Sequence, residues 1–283
     1  NATNANNHEQ PTIPTTPLGT SSLINIPNIS VESNFCYLNS QGIITEHNKF
    51  KIEYLSELLQ DKLLLVGTES HLNSNILDDE IQIDNFNSHR TDRQSRTHGG
   101  IVIYTHNSLI IDDSKSVKFS NSVCELLIIK EETLNLHIIC VYRPPDTRSE
   151  EFQPCLNKIK TYLDLVPSTD NVLMIGDFNF RHLTWYEVEN TIIHNLESGS
   201  KRDTQKQVNA MLELTDNFFM NQLITEPTRG NNILDLMFTN NEDMFSNIKV
   251  TKSSKKLSDH NLISGAINCE RSEDGTRLNS SHW

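Results

Sequence analysis

Short apolar runs that end in a polar side chain recur along the sequence and constrain the fold more than any other feature. The run VLMI (172–175) has the length and composition of a buried strand, and Gly176 after it permits a close approach between backbones. Because side chains on an extended chain repeat every two residues, Asp177 and Asn179 are predicted to share one face, with the phenylalanines beside them pointing into a core. The stretch therefore predicts a strand end that presents an acid and an amide side by side.

The same pattern occurs in five other places. Asn39 follows FCYL, Glu69 follows LLLVGT, Tyr142 follows LHIICV, Asp235 lies within ILDLMF, and Asp259 with His260 precedes NLISGAI. Each has a structural explanation when taken singly: an exposed strand end, a turn cap, an arginine partner, an Asx turn or a hydrogen-bonded histidine. A strand interior normally excludes a lone carboxylate, however, since burying an unpaired charge is costly. Their number in one chain favours a shared site.

Strand and helix patterns alternate in the middle of the chain. Strands are predicted at 35–38, 62–70, 100–106, 125–130, 136–143, 172–175, 233–239, 247–251 and 261–267, and helices near 52–59, 150–166 and 208–219. Short strand pairs with few helices between them favour two sheets of mixed or antiparallel pairing, with the helices on their outer faces. Composition predicts a polar linker or arm over 1–33, one domain over 34–269 and a polar tail over 270–283.

The formal charge of −13 argues against a protein that coats nucleic acid by bulk attraction, but it allows an enzyme with local basic patches. Positive charge gathers at 89–98, which contains Arg90, Arg93 and Arg96, and again at 201–202 and 252–256. No apolar run approaches 18 residues, so no membrane span is expected. The five cysteines include no CxxC pair and are interpreted as buried thiols of an intracellular protein.

The polar groups at the strand ends are mostly oxygen donors. Carboxylate and amide oxygens suit Mg²⁺ or Mn²⁺, while the lack of clustered cysteine and histidine argues against zinc. Such a metal together with a neighbouring Asp259 and His260 indicates hydrolysis of a phosphate ester. No GxxxxGK[ST] phosphate loop and no GxSxG elbow occurs in the sequence, which removes two common alternatives.

The ordered series of motifs resembles the endonuclease/exonuclease/phosphatase superfamily, which includes deoxyribonuclease I and the apurinic endonucleases. It resembles more closely the endonuclease domains of non-LTR retrotransposons, especially those of jockey-like lineages. The matching pieces are LNS (38–40), LLLVGTESHL (63–72), RTHGGIVIYTHNSL (96–109), VYRPPD (141–146), IGDFNFRHLTW (175–185), EPTRGNNILDLMFTN (226–240) and SDHNLI (258–263). They cover about 230 residues in the family's order.

The resemblance implies a four-layer α/β sandwich, in which two mixed β-sheets pack face to face with helices outside and the active site lies at the tops of the sheets. It implies that Glu69 is the principal ligand of a Mg²⁺ ion, for which Mn²⁺ could substitute. Asn39 and Asp259 would lie close to that ion.

The resemblance also implies roles for the remaining strand-end residues. Asp177 would position or deprotonate the attacking water, and Asn179 would hold the scissile phosphate. His260, oriented by Asp235, would stabilise charge on the phosphate. Further hydrogen bonds and DNA contacts would come from Tyr142, Thr228, Arg229, Arg90, Arg93 and Arg96.

By resemblance, the reaction nicks duplex DNA and leaves a 3′-hydroxyl and a 5′-phosphate, and a reverse transcriptase domain would follow in a full-length polyprotein that acts in the nucleus. Only six residues separate Thr228 from Asp235, which leaves little room there for a long hairpin that probes the DNA minor groove. Two alternatives stay open from the residues: a phosphatase or phosphodiesterase of the same fold with a non-DNA substrate, and an inactive DNA-binding remnant.

Overall fold

A computed structural model of the chain describes residues 29–44, 50–93, 98–121, 123–253 and 257–268. The strands are β1 (Phe35–Asn39), β2 (Leu64–Thr68), β3 (Phe86–Thr91), β4 (Ile101–His106), β5 (Val117–Ser120), β6 (Glu125–Glu131), β7 (Leu136–Tyr142), β8 (Asn171–Asp177), β9 (Leu183–Val188), β10 (Thr191–Leu196), β11 (Asn221–Gln222), β12 (Asp235–Thr239), β13 (Phe245–Thr251) and β14 (Leu262–Ile267). The helices are α1 (Phe50–Leu59), α2 (Ser149–Leu163) and α3 (Arg202–Asn217).

Two six-stranded sheets share one plan. The first has the order β13-β14-β1-β2-β4-β3 and the second β11-β12-β8-β7-β6-β5. Each is centred on a parallel pair, β1 with β2 and β7 with β8, and every other pairing is antiparallel. A helix joins the two parallel strands in both cases, α1 in the first sheet and α2 in the second, as a parallel connection requires. The carboxyl ends of both parallel pairs are therefore free to carry functional groups.

Alternation along the strands gives each sheet an inner and an outer face. In β1, Cys36 and Leu38 pack in one cluster with Leu55 and Leu59 of α1, whereas Tyr37 points the other way and contacts the second sheet. Helix α2 packs on α3, and its apolar stripe is buried. The predicted sandwich of two mixed sheets with helices outside is confirmed.

Five strands and the end of α3 escaped the sequence prediction. Strands β3, β5 and β11 lie at sheet edges, where fewer apolar side chains are needed. Strands β9 and β10 form a separate hairpin. Phe219, which was predicted on the face of α3, lies beyond the helix end, is 84% exposed and has a φ of 53°. That part of the prediction was wrong because the helix ends two residues earlier.

The described helices are all too short or too polar to span a membrane. Cys36, Cys124, Cys140 and Cys155 are buried free thiols, as predicted, and Cys269 lies outside the described residues. The predicted boundaries at 33–34 and 269–270 stay a prediction, since the arm and the tail fall mostly or wholly outside the described ranges.

Candidate active site

Six polar side chains gather where the corresponding ends of the two sheets meet, three from each sheet. The first sheet contributes from the ends of β1 and β2 and from the start of β14, and the second from the ends of β7 and β8 and from the start of β12. Since β12 and β14 run antiparallel to their neighbours, their first residues reach the same edge as the carboxyl ends of the parallel pairs. The six residues are Asn39, Glu69, His260, Tyr142, Asp177 and Asp235.

A buried hydrogen-bonded chain runs through Asp235. Its Oδ2 lies 2.7 Å from Nδ1 of His260, and its Oδ1 accepts a hydrogen bond of 2.7 Å from the hydroxyl of Tyr37. With both oxygens engaged, the Asp235 carboxylate fixes the orientation of the His260 ring. Burial opposes protonation of His260, but the carboxylates of Asp235 and Asp177 outweigh it and raise the pKa of His260 to about 9.

Asp177 lies at the centre of the group and is fully buried. Its Oδ2 accepts a hydrogen bond of 2.9 Å from Nδ2 of Asn39 and lies 3.9 Å from Nε2 of His260. Asp177 is the register partner of Tyr142 on one side and of Asp235 on the other. Burial and the nearby Asp235 carboxylate raise the pKa of Asp177 well above its usual value, so this carboxylate holds a proton more readily than an exposed one.

The loop after Asp177 differs from the prediction of a continued strand. Strand β8 ends at Asp177, and Asn179 has a φ of 53°, a left-handed conformation that asparagine tolerates. The amide N–H of Asn179 donates to Oδ1 of Asp177 at 3.1 Å, which is an Asx turn. Phe178 and Phe180 are both buried, but not as alternating residues of one strand.

Arg143 holds this turn in place. Its guanidinium donates to the carbonyl oxygen of Phe178 at 2.9 Å and to Oε1 of Gln207 on α3 at 2.7 Å, and it lies 4.3 Å from the ring centroid of Phe180. Nδ2 of Asn179 donates to the Arg143 carbonyl at 3.1 Å. The Asn179 Oδ1 is buried and finds no hydrogen-bond partner within the described part of the chain. A buried acceptor of this kind is suited to a metal ion, a water molecule or a ligand's donor group.

Glu69 follows β2 with a φ of 49°. Its Oε1 accepts a hydrogen bond of 2.8 Å from the hydroxyl of Tyr142, and its Oε2 lies 3.6 Å from Nε2 of His71. Burial alone would raise the pKa of Glu69, but the neighbouring His71 and hydrogen bonds from Tyr142 and Asn39 lower it to about 2. The Glu69 carboxylate is therefore ionised at any pH near neutrality.

The residues present fit a divalent cation. Asp177, Asp235 and His260 offer ligand atoms that all lie within 4.8 Å of one another. Asp235 is the least suited of the three, because both its oxygens already serve Tyr37 and His260. Ionised Glu69, buried Asp177 and the amide oxygens at this edge provide a better set of hard donors.

Asp259 and Thr228 were predicted to belong to the site but lie outside the group of six residues described above. Asp259 is about half exposed, pairs with Arg229 at 2.6 Å and accepts a hydrogen bond from Gln41. Its proximity to a metal at Glu69 stays a prediction. Thr228 is buried, and its Oγ1 accepts from the amide N–H groups of Leu234 and Asp235, both at 3.0 Å. Thr228 therefore positions Asp235.

The predicted DNA-contacting arginines are engaged within the protein. Arg90 pairs with Asp78 and Asp92 and donates to backbone carbonyls. Arg93 is buried against Glu125. Arg96 lies outside the described residues. Neither Arg90 nor Arg93 has a free guanidinium to offer to a phosphate, because acidic and carbonyl partners occupy it.

Sequence reasoning missed three residues that support the site: Tyr37, His71 and Arg143. Tyr37 sits inside an apolar run and looks like a core residue, and its hydroxyl finds Asp235 only when the two sheets meet. His71 and Arg143 lie next to recognised motif residues, within TESHL and YRPP. That adjacency was the one signal in the sequence that could have found them.

We expect the stabilising effect of His260 to disappear in mildly alkaline solution. Its pKa is about 9 in the folded chain, against a reference value of 6.5, so folding favours the protonated form. The contribution, at most about 3 kcal/mol, is fully present below pH 6.5 and is lost as the pH rises through 9. Urea unfolding in EDTA, with wild type and His260→Gln compared at pH 6 and pH 9.5, measures it. A difference between the two proteins that is constant or larger at pH 9.5 would contradict the assignment.

Solved structures identify the class of fold. An apurinic endonuclease from Archaeoglobus fulgidus matches with a TM-score of 0.58 and 13% identity, covering 83% of this chain and 98% of that one. A 3′–5′ exonuclease from Neisseria meningitidis matches at 0.60 and 12%, covering 83% and 99%. The endonuclease domain of TRAS1, a telomere-specific non-LTR retrotransposon, matches at 0.53 and 15%, covering 85% and 100%. The fold is that of the endonuclease/exonuclease/phosphatase superfamily.

The sequence match is more particular. Residues 136–264 match the family model described as endonuclease-reverse transcriptase. This stretch runs from β7 into β14 and contains Tyr142, Asp177, Asn179, Asp235 and His260. A search of curated protein sequences found no significant match. The resemblance to endonuclease domains of this superfamily, retrotransposon endonucleases among them, is confirmed.

Proposed function

We propose that this chain is a Mg²⁺-dependent endonuclease that nicks DNA by hydrolysing one phosphodiester bond, leaving a 3′-hydroxyl and a 5′-phosphate. The observation that carries the proposal is the buried Asp177, which lies between Asn39 and His260 at the edge where both sheets present their polar ends. Beside it, the Oδ1 of Asn179 is buried without a partner among the described residues. This arrangement brings a base, a protonated imidazole and two side-chain amides together at one edge of the sheets.

Three side chains of the protein have separate roles in the proposed reaction. Asp177, with its raised pKa, takes the proton of the attacking water. His260, kept protonated by Asp235, donates toward the phosphoryl oxygen on which negative charge develops. Asn179 orients the scissile group through Nδ2, which has one N–H left for a phosphate oxygen because the other donates to the Arg143 carbonyl.

The proposed cation is held mainly by Glu69, with Asp177 as a further oxygen donor. Asn39 would add its oxygen once its amide turns over, since Nδ2 now donates to Asp177. When bound, Mg²⁺ or Mn²⁺ polarises the phosphoryl oxygen and stabilises the leaving oxygen. Tyr142 donates a hydrogen bond to one oxygen of the Glu69 carboxylate, and Nε2 of His71 lies 3.6 Å from the other. An all-oxygen donor set favours these hard ions over zinc.

A cleft beside the site favours a polynucleotide over a small phosphate ester. It has a volume of about 660 Å³ and extends from Asn179 between the 143–148 loop and the start of α3. Its lining includes the acidic residues Asp146, Glu150 and Asp203 as well as cations. Of the cations, Arg181 and Lys201 are exposed and have no ion-pair partner within the described ranges. A strand that continues from the scissile phosphate would place its next phosphates against these cations.

The biological setting follows from the same proposal. The matched family is described as endonuclease-reverse transcriptase, so the nicked strand's 3′-hydroxyl would prime a reverse transcriptase domain of the same polyprotein. The domain would then act on chromosomal DNA in the nucleus.

The test is nicking of supercoiled plasmid by the purified chain, with Mg²⁺ in one series and EDTA in the other. We expect conversion to open circles with Mg²⁺ alone, and resealing of the product by DNA ligase, which requires adjacent 3′-hydroxyl and 5′-phosphate ends. Binding without nicking would instead identify an inactive DNA-binding remnant. Inertness toward DNA with hydrolysis of small phosphoesters would identify a phosphatase.

A charge-removal variant separates the substrate classes within the same assay. Arg181→Gln with Lys201→Gln should lower kcat/KM on plasmid by about tenfold. The slope of the logarithm of the DNA-binding constant against the logarithm of the salt concentration should become shallower by about one for each DNA phosphate that the protein no longer neutralises. Hydrolysis of bis(p-nitrophenyl) phosphate should not change, because this ester is too short to reach the cleft. The matched control removes two exposed charges elsewhere, Lys158→Gln on α2 with Lys249→Gln on β13. Equal effects of both variants on plasmid would argue against the cleft.

A further inference from the structure

A buried ion pair lies directly behind the candidate site. Glu125 begins β6 and is the register partner of Tyr142, the last residue of β7. Arg93, from the segment after β3, contacts Glu125 through two nitrogens: Nε with Oε1, and Nη2 with Oε2 at 2.9 Å. Nη2 also donates to the carbonyl of Val123 at 2.6 Å. The side chains of Arg93 and Glu125 are 5% and 0% exposed, so the pair is closed to solvent.

Arg93 contacts the site through an aromatic ring. Its guanidinium carbon lies 5.3 Å from the ring centroid of Tyr142, within the range of an attractive cation–π contact. The hydroxyl of the same ring donates to Oε1 of Glu69. A continuous series of contacts therefore joins Glu125, Arg93, Tyr142 and the Glu69 carboxylate.

The backbone around Arg93 is built to admit its guanidinium. Gly99 has a φ of 108°, and a Cβ placed there would lie 2.6 Å from the guanidinium carbon of Arg93. The carbonyls of Gly99 and Gly100 accept hydrogen bonds from the amide N–H groups of His71 and Ser70, at 2.8 and 3.2 Å. The segment that follows Glu69 thus rests on Gly100 and on Gly99, and Arg93 packs against Gly99.

We propose that Arg93, held by Glu125, is a positioning residue that fixes the ring of Tyr142, so that the Tyr142 hydroxyl keeps the Glu69 carboxylate in one orientation for a divalent cation. This inference rests on the proposed function and adds Arg93 as a residue that positions the proposed metal ligand Glu69 through Tyr142. Arginine is suited to the position because its planar fork pairs with a carboxylate while its face lies on an aromatic ring, which an ammonium group cannot do.

Stability alone does not account for a buried pair at this position. Removing two charges from water is expensive, and apolar residues of similar volume often replace a buried pair without loss of stability. A second ion pair, buried Lys130 with the partly exposed Asp170 at 2.8 Å, lies toward the opposite end of β6. The two pairs differ in what they adjoin, since only Arg93 with Glu125 contacts a residue of the candidate site. This difference provides a matched control.

The experiment replaces each pair by residues of similar volume. Arg93→Met with Glu125→Met should fold, as checked by thermal unfolding, but should bind Mn²⁺ about tenfold more weakly by calorimetry and require about tenfold more Mg²⁺ for half-maximal nicking. Lys130→Met with Asp170→Asn should alter neither value. Glu69→Ala identifies the Mn²⁺ binding that belongs to the site. An Arg93/Glu125 variant with wild-type Mn²⁺ affinity would overturn the inference.

A double-mutant comparison tests the route through the ring. Tyr142→Phe should weaken Mn²⁺ binding by a similar factor, and adding it to the Arg93→Met, Glu125→Met variant should produce no further loss, because both act through one hydrogen bond. If the losses of Mn²⁺ affinity multiply in the combined variant, the route through Tyr142 is overturned. If wild type binds Mn²⁺ but does not nick DNA, the nuclease proposal fails and the calorimetric comparison still decides the positioning role. If wild type binds no Mn²⁺ through Glu69, the positioning role is overturned.

Discussion

Replacing Asp177 by asparagine is expected to lower the rate of plasmid nicking by about 10³-fold, since a positioned general base contributes about 10²- to 10⁴-fold. Asparagine keeps the size of the side chain and can still accept a hydrogen bond from Asn39 or from the amide of Asn179. It cannot take a proton from water. The loss should appear in the nicking rate at saturating DNA, with plasmid binding retained.

Stability should change little in this variant. The raised pKa of Asp177 reflects an unfavourable buried carboxylate close to Asp235, and its removal offsets the one hydrogen bond that asparagine cannot accept. The control is Asp170→Asn, which removes the carboxylate that pairs with buried Lys130 far along β6. That variant should lose stability and retain nicking. Loss of nicking without loss of stability in Asp177→Asn, and the reverse in Asp170→Asn, would show that Asp177 acts in the reaction and Asp170 in folding. Equal nicking by wild type and Asp177→Asn would remove Asp177 from the mechanism.

The polar strand ends could be predicted because the physics behind them is local. An apolar run of four to seven residues forms a buried strand, and a polar residue directly after it must lie at the sheet edge. Asn39, Glu69, Tyr142 and Asp177 all fit this pattern, and the structure brings them to one edge. Parallel pairing then follows from the intervening helices α1 and α2, which the apolar periodicity also indicated.

The partners of these residues could not be predicted, because they are distant in sequence. Tyr37 and Asp235 are separated by 198 positions, and their hydrogen bond exists only where the two sheets face each other. Arg93 appeared as one cation of the basic cluster at 89–98, and Glu125 as the polar start of an apolar strand. Their burial depends on packing of the segment after β3 against β6, which composition does not specify.

The hairpin β9–β10 was missed although the sequence carries its signal. Residues 183–196 are rich in aromatic and β-branched residues, which is typical of strands. The turn is the two-residue type, with Glu189 and Asn190 at φ values of 50° and 63°. Asparagine is common at such positions but glutamate is not, so the turn lacks the usual Asn-Gly or Asp-Gly pair. The prediction that the strand continues through Asn179 was also wrong because of a turn. The Asx turn at Asp177–Asn179 ends the strand there.

Gly176→Ala is expected to be among the most destabilising single substitutions in the chain. Gly176 is the register partner of Val141 in the central parallel pair β7–β8. A Cβ at Gly176 would lie 1.9 Å from the carbonyl oxygen of Val141 and 2.8 Å from its carbonyl carbon. Both are backbone atoms and cannot move aside as a side chain can. We expect a loss of about 4 kcal/mol or more in the free energy of unfolding, measured in urea.

The same displacement should reach the site, because Gly176 immediately precedes Asp177 and Val141 immediately precedes Tyr142. Any separation of β7 from β8 moves the proposed base and the partner of Glu69 apart, so nicking should fall along with stability. Gly199→Ala is the matched control, since a Cβ there meets no atom within 4 Å, and it should change stability by less than about 0.5 kcal/mol. If the two alanine variants were equally stable, the close approach of β7 and β8 would not be what holds Asp177 and Tyr142 together.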